Sequence, residues 1–211
     1  MKILGICGRK RHGKDTVGHF LQSQGRYTPI AFADPIKRIA MDIYGLSYDQ
    51  CYGSDEFKEA VDSRWGVTPR HIMQQIGTEV ARAIHPETWV RYCLSTIDKA
   101  SGGEQPLIHW APARGFVAAR TDLLIPEIDI RGPYTVLTRW VITDVRFPNE
   151  AEHIRAAGGK IIKVVRPSLE GKQGDTHSSE TSIDEIEPDH LILNDGTLAD
   201  LRAKVLGVPH E

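Results

Sequence analysis

The chain has 211 residues, a length that predicts one domain rather than several. Hydrophobic residues make up 40% of it and charged residues 26%, which is typical of globular proteins and unlike disordered, collagen-like or coiled-coil chains. The 26 basic and 28 acidic residues give a net charge of −2, which argues against a uniformly basic nucleic-acid-binding protein but not against local basic clusters.

Several features predict a cytoplasmic protein with reduced thiols. No apolar run is long enough to span a bilayer, and the first residues lack the apolar stretch and cleavage site of a signal peptide. The cysteines, Cys7, Cys51 and Cys93, are far apart and odd in number, so they fit neither a disulfide framework nor a zinc site. The nine histidines show no metal-ligand spacing either.

The apolar pattern predicts strands that alternate with helices. Short apolar runs predict strands at residues 2–7, 27–32, 140–143, 160–165 and 191–193. Capping signals and helical spacing predict helices at residues 16–24, 34–45, 68–80, 86–97, 149–158 and 197–206. This alternation predicts a three-layer α/β fold, in which a mostly parallel central sheet is covered by helices on both faces.

Three stretches interrupt the alternation. Residues 46–67 and 168–180 are polar and predict loops, the first of them a mobile one. Residues 104–139 contain four prolines, scattered aromatic residues and no clean period, so we interpret them as an insert and consider a β-hairpin there. With this insert included, we assign residues 1–211 to a single domain.

The strongest motif lies between the first predicted strand and the first predicted helix. It reads Gly8-Arg9-Lys10-Arg11-His12-Gly13-Lys14-Asp15-Thr16. Two glycines bracket four residues and a lysine follows, which is the spacing and context of a phosphate-binding P-loop. Its backbone N–H groups and the helix N-terminus attract phosphate, and Lys14 can reach the β- and γ-phosphates of a nucleotide. A glycine-rich turn that binds nothing is the alternative.

The loop differs from the usual pattern in its charged residues. Asp15 stands where Ser or Thr normally holds Mg²⁺, although a carboxylate can serve directly or through water, and Thr16 supplies a hydroxyl one position later. Lys10 and Arg11 add cations to a loop already built for anions, so we expect a second phosphate group there. Simple exposure of both side chains to solvent is the alternative.

Charged residues at later strand ends extend the predicted site. Asp144 follows the strand at 140–143, where an aspartate orders a Mg²⁺-bound water opposite the P-loop or, alternatively, caps a helix. Arg146 can contact phosphate or pair with Asp144, and for Glu150 helix capping is nearly as good an explanation as function. Arg166 follows the strand at 160–165, where a cation can neutralise phosphate oxygens.

The predicted helices carry further candidates. Four cations lie on helices that flank the cleft, although solvation explains each one individually: Lys37, Arg38, Arg70 and Arg82. Gln74, Gly77 and Thr78 lie one turn apart, and Gly77 inside a helix costs about 1 kcal/mol relative to alanine, so a ligand or another backbone should approach there. Trp89 has core spacing, with base stacking as the alternative.

Together these residues resemble the phage-type deoxynucleoside monophosphate kinases, a family of P-loop kinases. The resemblance is carried by Gly8-x-Lys10-Arg11-x-Gly13-Lys14-Asp15-Thr16, Ala33-Asp34-Pro35-x-Lys37, Gln74-x-x-Gly77-Thr78-Glu79, Trp89-Val90, Asp144-Val145-Arg146-Phe147-Pro148-Asn149-Glu150 and His177-x-Ser179-Glu180. The run Asn194-Asp195-Gly196-Thr197-Leu198 resembles the turn beside the adenine of ATP in related kinases. The matches cover nearly the whole chain outside 104–139.

The resemblance implies ATP with Mg²⁺ as donor and a deoxynucleoside monophosphate as acceptor, in deoxynucleotide biosynthesis. The residues that it places at ATP are Gly8, Arg11, Gly13, Lys14, Asp15, Thr16 and Arg166. Those that it places at the acceptor are Lys10, Lys37, Arg70, Gln74, Gly77, Thr78, Trp89 and Glu150. Catalysis would rest on Lys14, Lys10, Arg146 and Asp144, and Mg²⁺ on Asp15, Thr16 and Asp144, directly or through water.

The implied partner is a small nucleotide rather than a membrane or a nucleic acid, and a homodimer stays open. A phage-encoded enzyme would act in the cytoplasm of its bacterial host. Three other functions compete: a phosphomevalonate kinase-like enzyme with a similar loop, a nucleotide-binding regulator without catalysis, and a P-loop that serves structure alone. The run at residues 147–150 favours the nucleotide kinase.

Overall fold

The computed structural model describes residues 2–24, 27–101, 139–169 and 178–208. Within these ranges the strands are β1 (Lys2–Cys7), β2 (Thr28–Ile30), β3 (Arg139–Val145), β4 (Lys160–Val165) and β5 (His190–Leu193). They form one sheet in the order β2-β3-β1-β4-β5, and all neighbouring strands are parallel. The predicted α/β fold with a parallel central sheet is confirmed.

Helices connect these strands and cover the sheet. They are α1 (Lys14–Ser23), α2 (Ala33–Tyr44), α3 (Tyr48–Tyr52), α4 (Asp55–Glu59), α5 (Pro69–Gln74), α6 (Ala81–Ile84), α7 (Thr88–Ser101), α8 (Pro148–Ala156), α9 (Ser178–Thr181) and α10 (Leu198–Leu206). A π-helical segment, Gln75–Val80, joins α5 to α6. Two 3₁₀ turns, Pro167–Leu169 and Ser182–Glu185, lie near the C-terminal end of the chain.

The core has two halves, one on each face of the sheet. Because successive side chains of a strand point to opposite faces, Ile3 and Cys7 of β1 pack into one half, while Leu4 and Ile6 pack into the other. The first half is closed by α7, by α8 and by the turn at Ser182–Glu185, and the second by α1 and α10. The three predicted layers are therefore present.

The strand order fixes where a ligand can bind. β1 and β4 are neighbours in the sheet. From β1 the chain continues to β2 at one edge of the sheet, and from β4 it continues to β5 at the opposite edge. Connections that diverge in this way open a crevice outside the carboxyl ends of parallel strands. The predicted P-loop follows β1, and Arg166 follows β4, so both lie at this crevice.

The prediction of a loop at residues 46–67 is wrong in part, because two helices form there. Ser47 and Gln50 make reciprocal side-chain-to-backbone hydrogen bonds that start α3. Only Gly53 and Ser54 separate α3 from α4. Each helix has only five residues, which is too short for a periodic apolar stripe. The polar composition of the segment thus concealed regular structure.

The apolar stripe predicted for residues 68–80 also needs correction at its end. Ile72 and Ile76 are buried as predicted, whereas Val80 is 56% exposed. The π-helical segment explains this difference, because its wider turns shift the phase of the following residues relative to an α-helix. Segments of this kind occur frequently at functional sites.

Some predictions lie outside the described residues. They include most of the insert at 104–139, of which only Arg139, the first residue of β3, is described, and His177 of the later polar loop. The three cysteines are buried free thiols. None of the helices in the described ranges is long and apolar enough to cross a membrane.

The two-sided core generates a stability prediction. Ile142 of β3 is fully buried, so Ile142→Ala should lower the free energy of unfolding by about 2–5 kcal/mol through lost burial and a residual cavity. Ile43 of α2 is 69% exposed, and Ile43→Ala is the matched control, with an expected change within about 0.5 kcal/mol. Urea denaturation measures both, and equal losses would contradict the described sheet.

Candidate active site

Backbone geometry explains both glycines of the predicted P-loop. Gly8 has φ 155°, and a Cβ there would lie 2.6 Å from the carbonyl oxygen of Val164 in β4. Gly13 has φ 102°, and a Cβ there would lie 2.7 Å from Nδ2 of Asn194. A side chain at Gly8 would therefore clash with the backbone of β4, and one at Gly13 would displace the Asn194 side chain and strain the backbone.

The same strand ends hold the loop by hydrogen bonds. His12 is 1% exposed, and its Nδ1 accepts a hydrogen bond from the backbone N–H of Arg166 at 3.3 Å. The side chain of Asn194 donates to the carbonyl of His12 at 3.0 Å. Arg9 forms an ion pair with Asp184 of the 3₁₀ turn. The sequence did not single out His12 or Asp184, since neither has a motif of its own.

The loop lines a cavity of about 300 Å³, which is large enough for part of a nucleotide. One wall is the start of α1, with Gly13, Lys14, Asp15 and Thr16. The opposite wall consists of Arg166 after β4 and the turn after β5, including Asn194, Gly196 and Leu198. The cavity thus brings together the loop, the Arg166 cation and the 194–198 turn, which the sequence predicted for one ligand.

The start of α1 is suited to anions and to a metal ion. Gly13 at the N-cap has no side chain to accept from the first-turn N–H groups, the arrangement by which helix N-termini bind phosphate. The Lys14 side chain is 11% exposed, and its Nζ lies 3.9 Å from Oδ1 of Asp15. Asp15 itself is 86% exposed, and the described residues contain no preformed cluster of three or more His, Cys, Asp or Glu ligands.

Asp144 lies beside the loop, because the ends of β3 and β1 are paired in the sheet. Its two carboxylate oxygens accept hydrogen bonds from the backbone N–H groups of Phe32 at 2.7 Å and Ala33 at 2.8 Å. Asp144 therefore fixes the start of α2, the helix that carries Lys37. A carboxylate has more acceptor positions than these two, so this contact is compatible with a role at a metal-bound water.

Lys10 of the P-loop and three cations of the helices α2, α4 and α5 form a group of four. Lys37 lies over the ring of Tyr52, 4.1 Å from its centroid. Burial, together with the charges of Lys37 and Arg70, lowers the pKa of Lys58 on α4. Lys58 was not among the predicted site residues, because the sequence analysis assigned its segment to a loop. Lys10, Lys37 and Arg70 were predicted for the acceptor, and Lys58 joins them.

Two carboxylates of α4 face this group. Asp55 pairs with Lys10 at 3.2 Å, with Arg11 at 2.9 Å and with Arg70 at 2.8 Å. Glu59 pairs with Arg70 at 2.5 Å and lies 3.8 Å from Nζ of Lys10. The helix α4 thus connects the P-loop to α5 through ion pairs.

The π-helical segment lies next to the core rather than in the cavity of the P-loop. Trp89 is 7% exposed, and its Nε1 donates a hydrogen bond to the carbonyl of Gly77 at 2.7 Å. A Cβ on Gly77 would lie 2.8 Å from Cδ1 of Ile36, so the close approach predicted there comes from a side chain of α2. Thr78 is half-buried on this segment, and Gln74 is half-buried at the end of α5, immediately before it.

Glu150 forms a buried network away from the P-loop. One of its oxygens accepts from the backbone N–H groups of Arg146 at 2.9 Å and Phe147 at 3.1 Å, and the other pairs with Arg82 at 3.2 Å. The Arg82 guanidinium lies 3.7 Å from the centroid of the Phe147 ring. Glu150 therefore caps its own helix and orients the turn that carries Arg146, with Arg146 itself half-buried at the end of β3.

Comparison with known proteins assigns the family. A candidate deoxynucleotide monophosphate kinase of Acanthamoeba polyphaga mimivirus is 30% identical over 208 residues, covering 98% of this chain and 95% of its relative. The chain belongs to the deoxynucleotide monophosphate kinase family. The sequence profile of deoxynucleotide monophosphate kinases also matches residues 133–205. This family is the one that the sequence motifs resemble, so that prediction is confirmed.

Two phage proteins and one solved structure are also similar to this chain. The deoxynucleotide monophosphate kinase of Enterobacteria phage T4 is 23% identical over 271 residues, with 97% of each chain covered. That of Escherichia phage RB69 is 39% identical over 164 residues, which are 76% of this chain and 53% of the relative. A dephospho-CoA kinase structure from Campylobacter jejuni aligns over 99% of this chain and 96% of its own, with 15% identity and a TM-score of 0.46.

The Glu150 network generates a prediction about pH. Burial, with a contribution from Asp144, raises the pKa of Glu150 from 4.5 to about 7, against the backbone hydrogen bonds and Arg82. Between these values the folded protein binds more protons than the unfolded chain, so this group makes the free energy of unfolding fall as pH rises. Glu150→Gln should remove that fall.

Urea denaturation at several pH values between 4.5 and 7 checks this expectation. The control is Glu152→Gln on the exposed face of the same helix, which should keep the wild-type dependence. An identical pH dependence in wild type and Glu150→Gln would contradict the assignment.

Proposed function

We propose that the protein transfers the γ-phosphoryl group of ATP to the phosphate of a deoxynucleoside monophosphate, which yields ADP and a deoxynucleoside diphosphate. The position of Lys10 is the observation that carries this proposal. Lys10 belongs to the P-loop, yet its Nζ lies within ion-pair distance of the same carboxylates as Arg70 of α5. One lysine therefore connects the P-loop to the cations of α2, α4 and α5.

The donor site is the cavity between the P-loop and the turn after β5. Lys14 and the first-turn N–H groups of α1 would bind the β- and γ-phosphates, with Arg166 on the opposite wall. Leu198, at 68% exposed, offers an apolar surface for the adenine. Gly8 and Gly13 keep the backbone close enough to the phosphates for these contacts.

The acceptor site is the group formed by Lys10, Lys37, Lys58 and Arg70. A deoxynucleoside monophosphate carries nearly two negative charges at neutral pH, which suits several converging cations. Gln74 at the end of α5 and Thr78 in the adjoining π-helical segment are half-buried, and we infer that they contact the sugar or base. Gly77 and Trp89 support this segment from the core.

The reaction needs positioning and charge neutralisation rather than a covalent enzyme intermediate. An oxygen of the acceptor phosphate forms the new bond to the γ-phosphorus, the bond to the β–γ bridging oxygen breaks, and ADP leaves. The acceptor oxygen is already ionised, so no general base is required. Lys14, Lys10 and Arg146 would neutralise the charge that develops on the transferred group.

The oxygen donors beside the cavity fit Mg²⁺. Asp15 is an exposed carboxylate at the start of α1, Thr16 supplies a hydroxyl, and Asp144 lies at the adjoining strand end. Hard oxygen ligands, few in number, suit an ion that keeps several waters and binds mainly to substrate phosphates. Asp15, Thr16 and Asp144 would hold Mg²⁺ directly or through water, and the ion would neutralise negative charge on the phosphates of ATP.

The remaining assignments follow from this proposal. Family membership favours a nucleotide acceptor over phosphomevalonate, and the paired cation sites favour catalysis over a purely regulatory P-loop. A small nucleotide is the expected partner, without stable binding to nucleic acid. A single domain over residues 1–211 and a cytoplasmic location remain predictions, and the oligomeric state stays open.

Lys14 provides the direct test of the proposed chemistry. Lys14→Ala should lower phosphoryl transfer by at least about 100-fold, because the cation next to the transferred group is lost while the fold is retained. The matched control is Lys2→Ala, at the opposite end of β1, with an expected activity near wild type. A coupled ADP-release assay measures both variants, and near wild-type turnover by Lys14→Ala would exclude the mechanism.

A further inference from the structure

Three cations of the site converge on one carboxylate. Lys10 and Arg11 of the P-loop contact Oδ2 of Asp55, and Arg70 of α5 contacts Oδ1. All three distances are 3.2 Å or less. Donors from two separate elements therefore point to a single position, and that position holds an anion supplied by the chain itself.

The Asp55 carboxylate is ionised at the pH of any enzyme assay. Partial burial works against ionisation of Asp55, but hydrogen bonds from Arg11 and Lys10 outweigh it and lower its pKa to about 2. Glu59, one helical turn further along α4, contacts Arg70 and lies near Lys10. The two carboxylates thus leave one net positive charge in a group of Lys10, Arg11 and Arg70.

A phosphate that binds these cations must take the position of the Asp55 carboxylate. A carboxylate carries one negative charge and two oxygens, whereas a phosphate monoester carries nearly two charges and three oxygens at neutral pH. The exchange is therefore favourable for a phosphate monoester and unfavourable for a singly charged anion. The strength of acceptor binding then depends on the contacts that Asp55 gives up.

We propose that Asp55 is a specificity-determining residue, which occupies the acceptor-phosphate position and is displaced from Lys10, Arg11 and Arg70 by the phosphate of the acceptor. The exchange weakens acceptor binding and restricts the site to ligands with more charge than a carboxylate. Because Asp55 belongs to α4, its release breaks the shortest ion pairs between this helix and the P-loop while phosphate is bound. This inference rests on the proposed function for the identity of the acceptor, but not for the competition between anions.

The test measures binding and does not require turnover. Isothermal titration of inorganic phosphate into wild type, Asp55→Asn and Glu56→Gln is performed with and without saturating ADP and Mg²⁺, which fill the P-loop. The Asn variant keeps the shape of Asp55 and removes its charge. Glu56→Gln removes the same charge from an exposed neighbouring position on α4, which controls for the overall change in electrostatic potential.

With the P-loop filled, Asp55→Asn should bind inorganic phosphate about 3- to 10-fold more tightly than wild type, the scale expected for partly exposed ion pairs. Glu56→Gln should stay within about twofold of wild type. Unchanged or weaker binding by Asp55→Asn would overturn the proposal. So would an equal gain in both variants, because it would show a general charge effect.

Turnover separates this inference from the proposed function. The KM for the deoxynucleoside monophosphate should fall in Asp55→Asn by the same factor as the dissociation constant of phosphate. If wild type does not bind ADP, that result would count against the proposed function. The titration without ADP would still show whether Asp55 competes with phosphate. Thermal unfolding confirms that each variant is folded before titration.

Discussion

The site depends on how closely the P-loop is held against the carboxyl edge of the sheet. Gly8 lies against the carbonyl of Val164 and Gly13 against the side chain of Asn194, so a Cβ at either glycine would clash with the end of β4 or with the turn after β5. The buried ring of His12 and its carbonyl receive hydrogen bonds from the same two strand ends. A parallel sheet with β1 at its centre is thus required for the loop to keep its shape.

Electrostatics sets the second constraint, since a site built for several phosphates places like charges together. The chain offsets this repulsion with its own carboxylates. Asp184 pairs with Arg9 of the P-loop, and Asp55 and Glu59 of α4 pair with Lys10 and Arg70. Such pairs stabilise the cation group but compete with the phosphates, so stability and ligand affinity are balanced by the same residues.

The sequence predicted the fold well, because the strands follow from local apolar runs, and a motif of fixed spacing located the loop between β1 and α1. Residues at the proposed acceptor site were harder to predict from the sequence. Asp55 and Lys58 lie on a helix too short to have a period, and His12 gains its role only when β4 and β5 fold beside it. Glu150 and Trp89 belong to motifs of the family, yet both are buried. Their hydrogen bonds fix the backbone of neighbouring segments at Arg146 and Gly77.

We propose phosphoryl transfer from ATP to a deoxynucleoside monophosphate at the P-loop and the adjoining cations. It is tested most directly by ADP release from wild type with ATP and Mg²⁺, using each deoxynucleoside monophosphate as acceptor and phosphomevalonate and ribonucleoside monophosphates as controls. We expect ADP release that depends on the presence of one or more of the deoxynucleoside monophosphates. Release only with phosphomevalonate, or none with any acceptor despite measurable ATP binding, would contradict it.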